Sequence, residues 1–303
     1  MSPHATRCVF DLSTRLAYSP SSCFAPRQDK TKTMPLIPVS HADDPRLDAY
    51  VSLREKDLTS GHGARFIIEG KVTLETALRR GRFALESVFL AESRVEPLAD
   101  LLAEVPEEIP VYVAPQTVMD AVAGFPMHRG VLACGLKGEI TAPEAFLAAQ
   151  GSGPSTLLLM SDLSNHDNVG ACFRNAAAFG ADAVLMDAQC CDPLYRKAIR
   201  VSSGSSLWLP YAHGGTGLDM VNAAKAAGYE VWAMTPRADA VPITEMVVPE
   251  RVAILLGAEG PGLPDELIAA SMPVRIPMSE GFDSVNVATA GAIAMAHIFG
   301  AKA

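Results

Sequence analysis

The chain has 303 residues, of which 49% are apolar, a formal net charge of −9 and a pI near 5.3. That length suits about two domains and the composition can fill their cores. No run of roughly 18 or more apolar residues occurs, which excludes a hydrophobic membrane-spanning helix, and the acidic balance argues against indiscriminate nucleic-acid binding while leaving room for a local basic surface.

Residues 1–33 differ from the rest. They are rich in Ser, Thr and Pro, and carry Arg7, Arg15, Arg27, Lys30 and Lys32 against Asp11 and Asp29. A transit peptide, a disordered tail and a start upstream of the true one at Met34 all fit that composition, whereas a secretory leader does not, for want of an apolar run. Residues 1–44 are therefore expected to be a disordered extension. From Pro45 to about Asp57 the spacing of Leu47, Tyr50, Val51 and Leu53 predicts a short helix. Short strands at 66–70, 87–90, 111–113 and 131–133 alternate with helices at 71–80, 95–103 and 115–122. Residues 45–137 thus read as a small α/β domain.

Residues 138–154 read as a linker with a helical piece at 143–150 and a breaker, Gly151-Ser152-Gly153-Pro154. Beyond it, 155–303 form the second domain. Strands are expected at 156–160, 183–186, 207–210, 230–234, 254–256 and 274–277. Helices are expected from Asn168 to Phe179 (with Gly180 as the residue past its end), over 217–228, after Pro264 and from about Val287. Apolar strands alternating with helices predict a mostly parallel sheet covered by helices on both faces. Such sheets bind ligands beyond the carboxyl ends of their strands.

Six cysteines are present, Cys8, Cys23, Cys134, Cys172, Cys190 and Cys191, with no C-x-x-C pair and no histidines at metal spacing. They read as free thiols of a cytoplasmic protein with no structural metal.

Two loops stand out. One is Leu256-Gly257-Ala258-Glu259-Gly260-Pro261-Gly262-Leu263, after a buried strand; the other runs from Ile276-Pro277-Met278 to Ser284-Val285-Asn286-Val287-Ala288. Glycine permits positive φ and close approach, so main-chain groups in such loops can grip a small ligand. A third stretch precedes them: Asn168-Val169-Gly170-Ala171, then Arg174-Asn175-Ala176-Ala177 and Phe179-Gly180. Together the three resemble, in order and spacing, the motifs of the SpoU (TrmH-like) RNA ribose methyltransferases of the knotted SPOUT class. The resemblance is strong over 157–300 and weaker over 64–136, where Phe66-Ile67-Ile68-Glu69-Gly70 and His128-Arg129-Gly130-Val131-Leu132-Ala133 match a ribosomal-protein-like RNA-binding module.

The resemblance implies a trefoil knot in the second domain, a homodimer through that domain, and methyl transfer from S-adenosyl-L-methionine to a ribose 2′-hydroxyl of RNA. Ribosomal RNA is favoured over transfer RNA because a domain precedes the catalytic one. Gly257, Gly260, Ile276, Met278 and Val285 match the cofactor-holding positions; otherwise they are turn glycines and core strand. Arg174 matches the family's catalytic arginine rather than a plain surface one. Because a guanidinium stays protonated, it is expected to clamp the phosphate beside the target ribose and not to act as the base. Asn168, Glu259, Ser284 and Asn286 match site positions, with Glu259 expected to fix Asn168 and Arg174, and Ser284 and Asn286 doubling as caps of the last helix. His166 is a weaker candidate for the base.

Arg65, Lys71, Arg79, Arg80 and Arg82 are the cations that could meet RNA in the first domain. Val285 stands where leucine is commoner, a conservative exchange. Two other readings remain open. One is a catalytically silent RNA-binding protein of the same fold. The other is a nicotinamide-dependent dehydrogenase, which the absence of G-x-G-x-x-G between Ser161 and Gly170 speaks against.

Overall fold

The computed structural model describes residues 35–51 and 65–303. The basic segment 1–33 and the end of the helix expected from Pro45 lie outside the described residues. A 3-10 turn, Pro45–Tyr50, occupies the start of that helix, with Asp44 accepting from the Arg46 N–H at its head.

The first sheet is built from β1 (Leu36–Pro38), β2 (Arg65–Glu69), β3 (Ala84–Ala91), β4 (Val111–Ala114) and β5 (Val131–Leu136), interleaved with α1 (Lys71–Arg80), α2 (Ala99–Leu102) and α3 (Gln116–Ala123). Its order is β1-β4-β3-β5-β2. β5 runs antiparallel to β2 and β3, while β4 lies parallel to β3 and β1. β1 falls within the segment expected to be disordered. Its Leu36–Pro38 register against Val111–Val113 shows why: the free edge of β4 takes up a third short extended run. The helix expected over 95–103 is shorter, as 3-10 turns at Glu92–Arg94 and Glu96–Leu98 precede α2; Pro97 interrupts the backbone donors there.

α4 (Pro143–Ala148) leads to the second sheet. This comprises β6 (Ser155–Met160), β7 (Ala183–Met186), β8 (Tyr211–His213), β9 (Glu230–Met234), β10 (Val241–Pro242), β11 (Arg251–Leu256) and β12 (Met272–Arg275). Between them run α5 (His166–Ala178), α6 (Arg196–Val201), α7 (Gly217–Ala226) and α8 (Asp265–Ala269), and α9 (Val287–Lys302) ends the chain. All pairings are parallel, in the order β10-β12-β9-β11-β6-β7-β8.

The continuous apolar strands feed two faces, as period-two alternation requires. Leu158, Met160, Ile254 and Leu256 pack with Phe173 of α5 and Met295 of α9, whereas Leu157, Leu159, Ala253 and Leu255 pack with Met220 and Val221 of α7. Helices therefore cover both faces. Phe66 and Val88 of the first sheet and Leu74 of α1 join the former cluster. Phe66, Phe83, Tyr211 and Phe173 form a chain of ring contacts at 5.3, 6.4 and 5.7 Å across the junction.

Three expectations shift. The strand placed at 207–210 is a 3-10 turn, Ser205–Leu207, and pairing begins only at Tyr211. Pro210 has no N–H for a ladder, though its carbonyl accepts from the Val184 N–H at 2.9 Å. β12 covers 272–275, not 274–277: Val274 pairs with Met234, the last residue of β9, so Ile276 onward is released into a loop. The breaker at 151–154 is tied down, because one nitrogen of Arg251 donates to the carbonyls of Gly151 and Gly153 at 2.8 and 2.6 Å.

Candidate active site

Three parallel strands, β12, β9 and β11, end side by side, and the loops leaving their carboxyl ends enclose a cleft of about 550 Å³. The turn 256–263 forms one wall, 276–278 and 283–287 another, and Met234, Thr235, Pro236 and Arg237 a third.

The turn after β11 is shaped by its glycines. Gly260 and Gly262 take φ of +89° and +72°, and the Gly262 N–H returns to the Ala258 carbonyl at 3.1 Å. These are conformations side chains rarely adopt. Gly257 is needed for space instead: a Cβ there would stand 2.7 Å from the Leu263 nitrogen and 2.8 Å from the Gly262 carbonyl carbon. The turn thus closes on itself as one wall of the cleft. Gly291 does a related job under it, since a Cβ there would come within 2.9 Å of Leu256 Cδ1, and its absence lets α9 lie close to the end of β11.

Asn286 joins the walls. As N-cap of α9 its Oδ1 accepts from the Ala288 and Thr289 N–H groups at 2.9 and 3.3 Å. Its Nδ2 donates to Asn168 Oδ1 and to Glu259 Oε1, both at 3.0 Å. One amide therefore ties the start of α5, the turn after β11 and the start of α9 together, with all of its strong hydrogen-bonding capacity used. Asn175, one residue after Arg174, adds a bond to the Ala288 carbonyl at 2.8 Å.

The expected cofactor residues Gly257, Gly260, Ile276, Met278 and Val285 all line the cleft, as do Glu259, Ser284 and Asn286. Asn168 is buried behind it, in contact through Asn286. Arg174 departs from expectation. Glu259 bonds Asn286, not Arg174, and Arg174 does not line the cleft of its own chain. Six residues on a helix turn the side chain about 120° away from the Asn168 direction. Arg174 is exposed, and among the described residues it has no hydrogen bond or ion pair. His166 stacks on Tyr195 with ring centroids 3.7 Å apart, and Asp167 pairs with Lys197 at 2.6 Å.

Met234, Thr235, Ile268 and Gly291 were not singled out from the sequence. The first two were legible, as the end of a strand and the residue between it and Pro236; Gly291 was hidden in a helix of small residues. Among the described residues no group of three or more His, Cys, Asp or Glu could hold a metal ion. The four described cysteines are free. Burial raises their thiols, Cys172 and Cys191 up to about 12.

Comparison with known proteins accounts for this arrangement. The SpoU rRNA Methylase family profile matches residues 155–296. An uncharacterised tRNA/rRNA methyltransferase of Mycobacterium tuberculosis is 40% identical over 264 residues, covering 84% of this chain and 89% of the relative. A 23S rRNA (guanosine-2′-O-)-methyltransferase of Acinetobacter baylyi is 30% identical over 209 residues, covering 67% of this chain and 83% of the relative. A crystal structure of an RNA 2′-O ribose methyltransferase superposes with a TM-score of 0.72 at 25% identity, over 88% of this chain and 99% of that one. SpoU methyltransferases bind S-adenosyl-L-methionine, and a glycine turn with apolar walls fits a small ligand held largely by main-chain groups. The chain belongs to the SpoU family of RNA methyltransferases, within the SPOUT class.

Proposed function

We propose that the protein methylates a ribose 2′-hydroxyl of RNA, in ribosomal rather than transfer RNA. The observation that carries this reading is the Asn168–Asn286–Glu259 network at the cleft lined by Gly257, Ile276, Met278 and Val285. S-adenosyl-L-methionine, when bound, supplies an activated methyl group. Main-chain groups of the 257–263 turn and of 276–278 would hold it, and Val285 and Met278 would wall it from water. Asn286 and Glu259 keep the loops in register, and a site so ordered would align the hydroxyl with the methyl donor; alignment of this kind supplies a large share of rate enhancement. Ser284, at the rim, offers a hydroxyl to the ribose.

Arg174 acts as a fixed positive charge. Its exposure and its lack of a partner among the described residues suit a guanidinium kept for substrate phosphate, where it lowers the free energy of the forming alkoxide. The proton leaves to another group or to solvent.

Arg174 lies outside its own cleft, and this fits a homodimer in which each site takes the arginine of the other copy. Ile293 and Phe299, 38% and 51% exposed, leave apolar surface on α9 that a second copy would cover. A trefoil knot, in which the last segment threads a loop, is compatible with β11 lying between β6 and β9 and α9 packing against α5. The preference for ribosomal RNA rests on the small first domain and on the 23S rRNA enzyme among the relatives.

The test is transfer of tritiated methyl from S-adenosyl-L-methionine to ribosomal RNA and, separately, to transfer RNA, both from cells lacking the protein. Label in ribosomal RNA that disappears with Arg174→Ala is the expected result. Cofactor binding without label in either pool would favour the silent RNA-binding alternative.

A further inference from the structure

A second cleft, of about 570 Å³, lies where the two sheets meet. The first lobe contributes Glu69 to Thr73, Arg94, His128 and Arg129, and the second contributes Arg200 and Ser203. Glu69 is the sole carboxylate in its lining, and its side chain is 8% exposed. Three guanidiniums converge on it: Arg196 at 2.8 Å, Arg200 at 3.5 Å and Arg129 at 3.8 Å. Arg94 reaches the His128 carbonyl at 3.0 Å, while its Nε is buried with no partner. Lys71 begins α1 in the same cleft, with no side-chain cap over the helix's first N–H groups.

A structural ion pair needs one arginine per carboxylate. Here one carboxylate faces three arginines, with Arg94 and Lys71 beside them, on a chain whose net charge is −9. Crowding like charges is unfavourable unless an anion completes the set. The outward pair, Arg129 and Arg200, keeps 50% and 38% of its side-chain surface exposed, whereas Arg196 is 17% exposed and nearest to Glu69. Other first-lobe cations are already occupied: Arg65 by Glu86 at 2.5 Å, Arg79 by Glu104 at 2.7 Å, and Arg80 over the Trp208 ring at 3.7 Å. α6, which carries Arg196 and Arg200, also holds Lys197 against Asp167, the neighbour of Asn168.

We propose that this junction cleft binds a backbone phosphodiester of the RNA substrate, with Arg129, Arg200, Arg94 and Lys71 as contacts and Glu69 as the residue that gathers the arginines. The proposal rests on the RNA-methyltransferase reading. Through α6 it couples RNA held between the lobes to the start of α5.

The test uses the full chain and a fluorescein-labelled mixed-sequence 20-nucleotide RNA, with affinity measured from about 50 to 200 mM salt. Replacing Arg129→Gln and Arg200→Gln together should weaken binding about tenfold at the lowest salt and flatten the log–log salt slope by roughly 0.7, the value for one single-strand phosphate. The double Lys variant should retain most of the slope, which a purely structural role would not produce. Glu69→Gln, which keeps the arginines' charge but loosens their gathering, should weaken binding less than the double Gln variant and leave the salt slope near the parent's. Arg46→Gln, a charge removed elsewhere, should leave the slope unchanged. Binding of S-adenosyl-L-methionine should stay within twofold throughout. A parent-like slope in the double Gln variant would overturn the cleft assignment and leave the proposed reaction standing. A parent protein that neither binds the probe nor methylates RNA would overturn both. Protection of the cleft by millimolar inorganic phosphate, with RNA binding unaltered in the variants, would make it a small-anion site and overturn the proposal.

Discussion

Asn286→Asp separates what the last helix needs from what the site needs. An aspartate at 286 still caps α9, because its oxygen can accept from the Ala288 and Thr289 N–H groups, now 2.9 and 3.3 Å from Oδ1. It cannot, when ionised, donate to Asn168 or Glu259, and it sets a second carboxylate near the 3.0 Å position now held by the amide. Each lost bond is worth about 0.5–1.5 kcal/mol. Two charges at that spacing repel by about 1.4 kcal/mol at the dielectric of water, the fitting choice because Asn286 and Glu259 are both exposed. The sum is about 2–4 kcal/mol, felt at the junction of both cofactor loops. Crowding raises the pKa of one carboxyl of the pair in the folded state. The defect is therefore full above that value and shrinks as pH falls, when one carboxyl protonates and can donate. Calorimetric titration with S-adenosyl-L-methionine should show affinity down about 30-fold or more at pH 8, and less than tenfold at pH 5. An equal loss at both pH values, or parent-like binding at pH 8, would refute the network as the organiser of the site.

Other outcomes follow from the same geometry. Gly257→Ala forces backbone apart at 2.7 and 2.8 Å, an overpacking of about 1–3 kcal/mol, so cofactor affinity should fall tenfold or more, while Gly151→Ala, with open space around it, changes nothing. Arg174→Ala should lower kcat about 10²–10³-fold, the usual loss for one preorganised charge, with Tm and cofactor affinity unchanged because the side chain is exposed; calorimetry beside the methyl-transfer assay checks both. Phe173→Ala, which empties a fully buried position between α5 and the sheet, should cost about 3–5 kcal/mol of stability in urea unfolding. In a chain carrying Cys8→Ser and Cys23→Ser, the remaining thiols should resist Ellman's reagent at pH 8 until denaturant is added, because burial holds them protonated.

The sequence was most readable where local chemistry decides structure. Gly180 has φ +67° just past α5, as a helix-ending glycine should, and the apolar runs at 156–160 and 254–256 lie in buried strands. The residues lining the cleft were legible because glycine turns after strands leave a pattern. Boundaries failed where tertiary pairing decided them: β12 stops with its partner β9, and Pro210 delays β8. β1 escaped notice since a three-residue edge strand exists only by virtue of β4. Arg174 could be identified as a residue but not located relative to the cleft, and the Glu69 cluster joins positions up to 131 residues apart in sequence, Glu69 to Arg200, which no local pattern records.

The proposed acceptor is a ribose oxygen rather than a base. Ribosomal RNA from cells lacking the protein, incubated with it and S-adenosyl-L-methionine, is digested to nucleosides and analysed by mass spectrometry. The account predicts a gain of one 2′-O-methylated nucleoside, absent with Arg174→Ala, and resistance of the adjacent linkage to alkali. A new methyl group on a base, with every ribose unmodified, would contradict it.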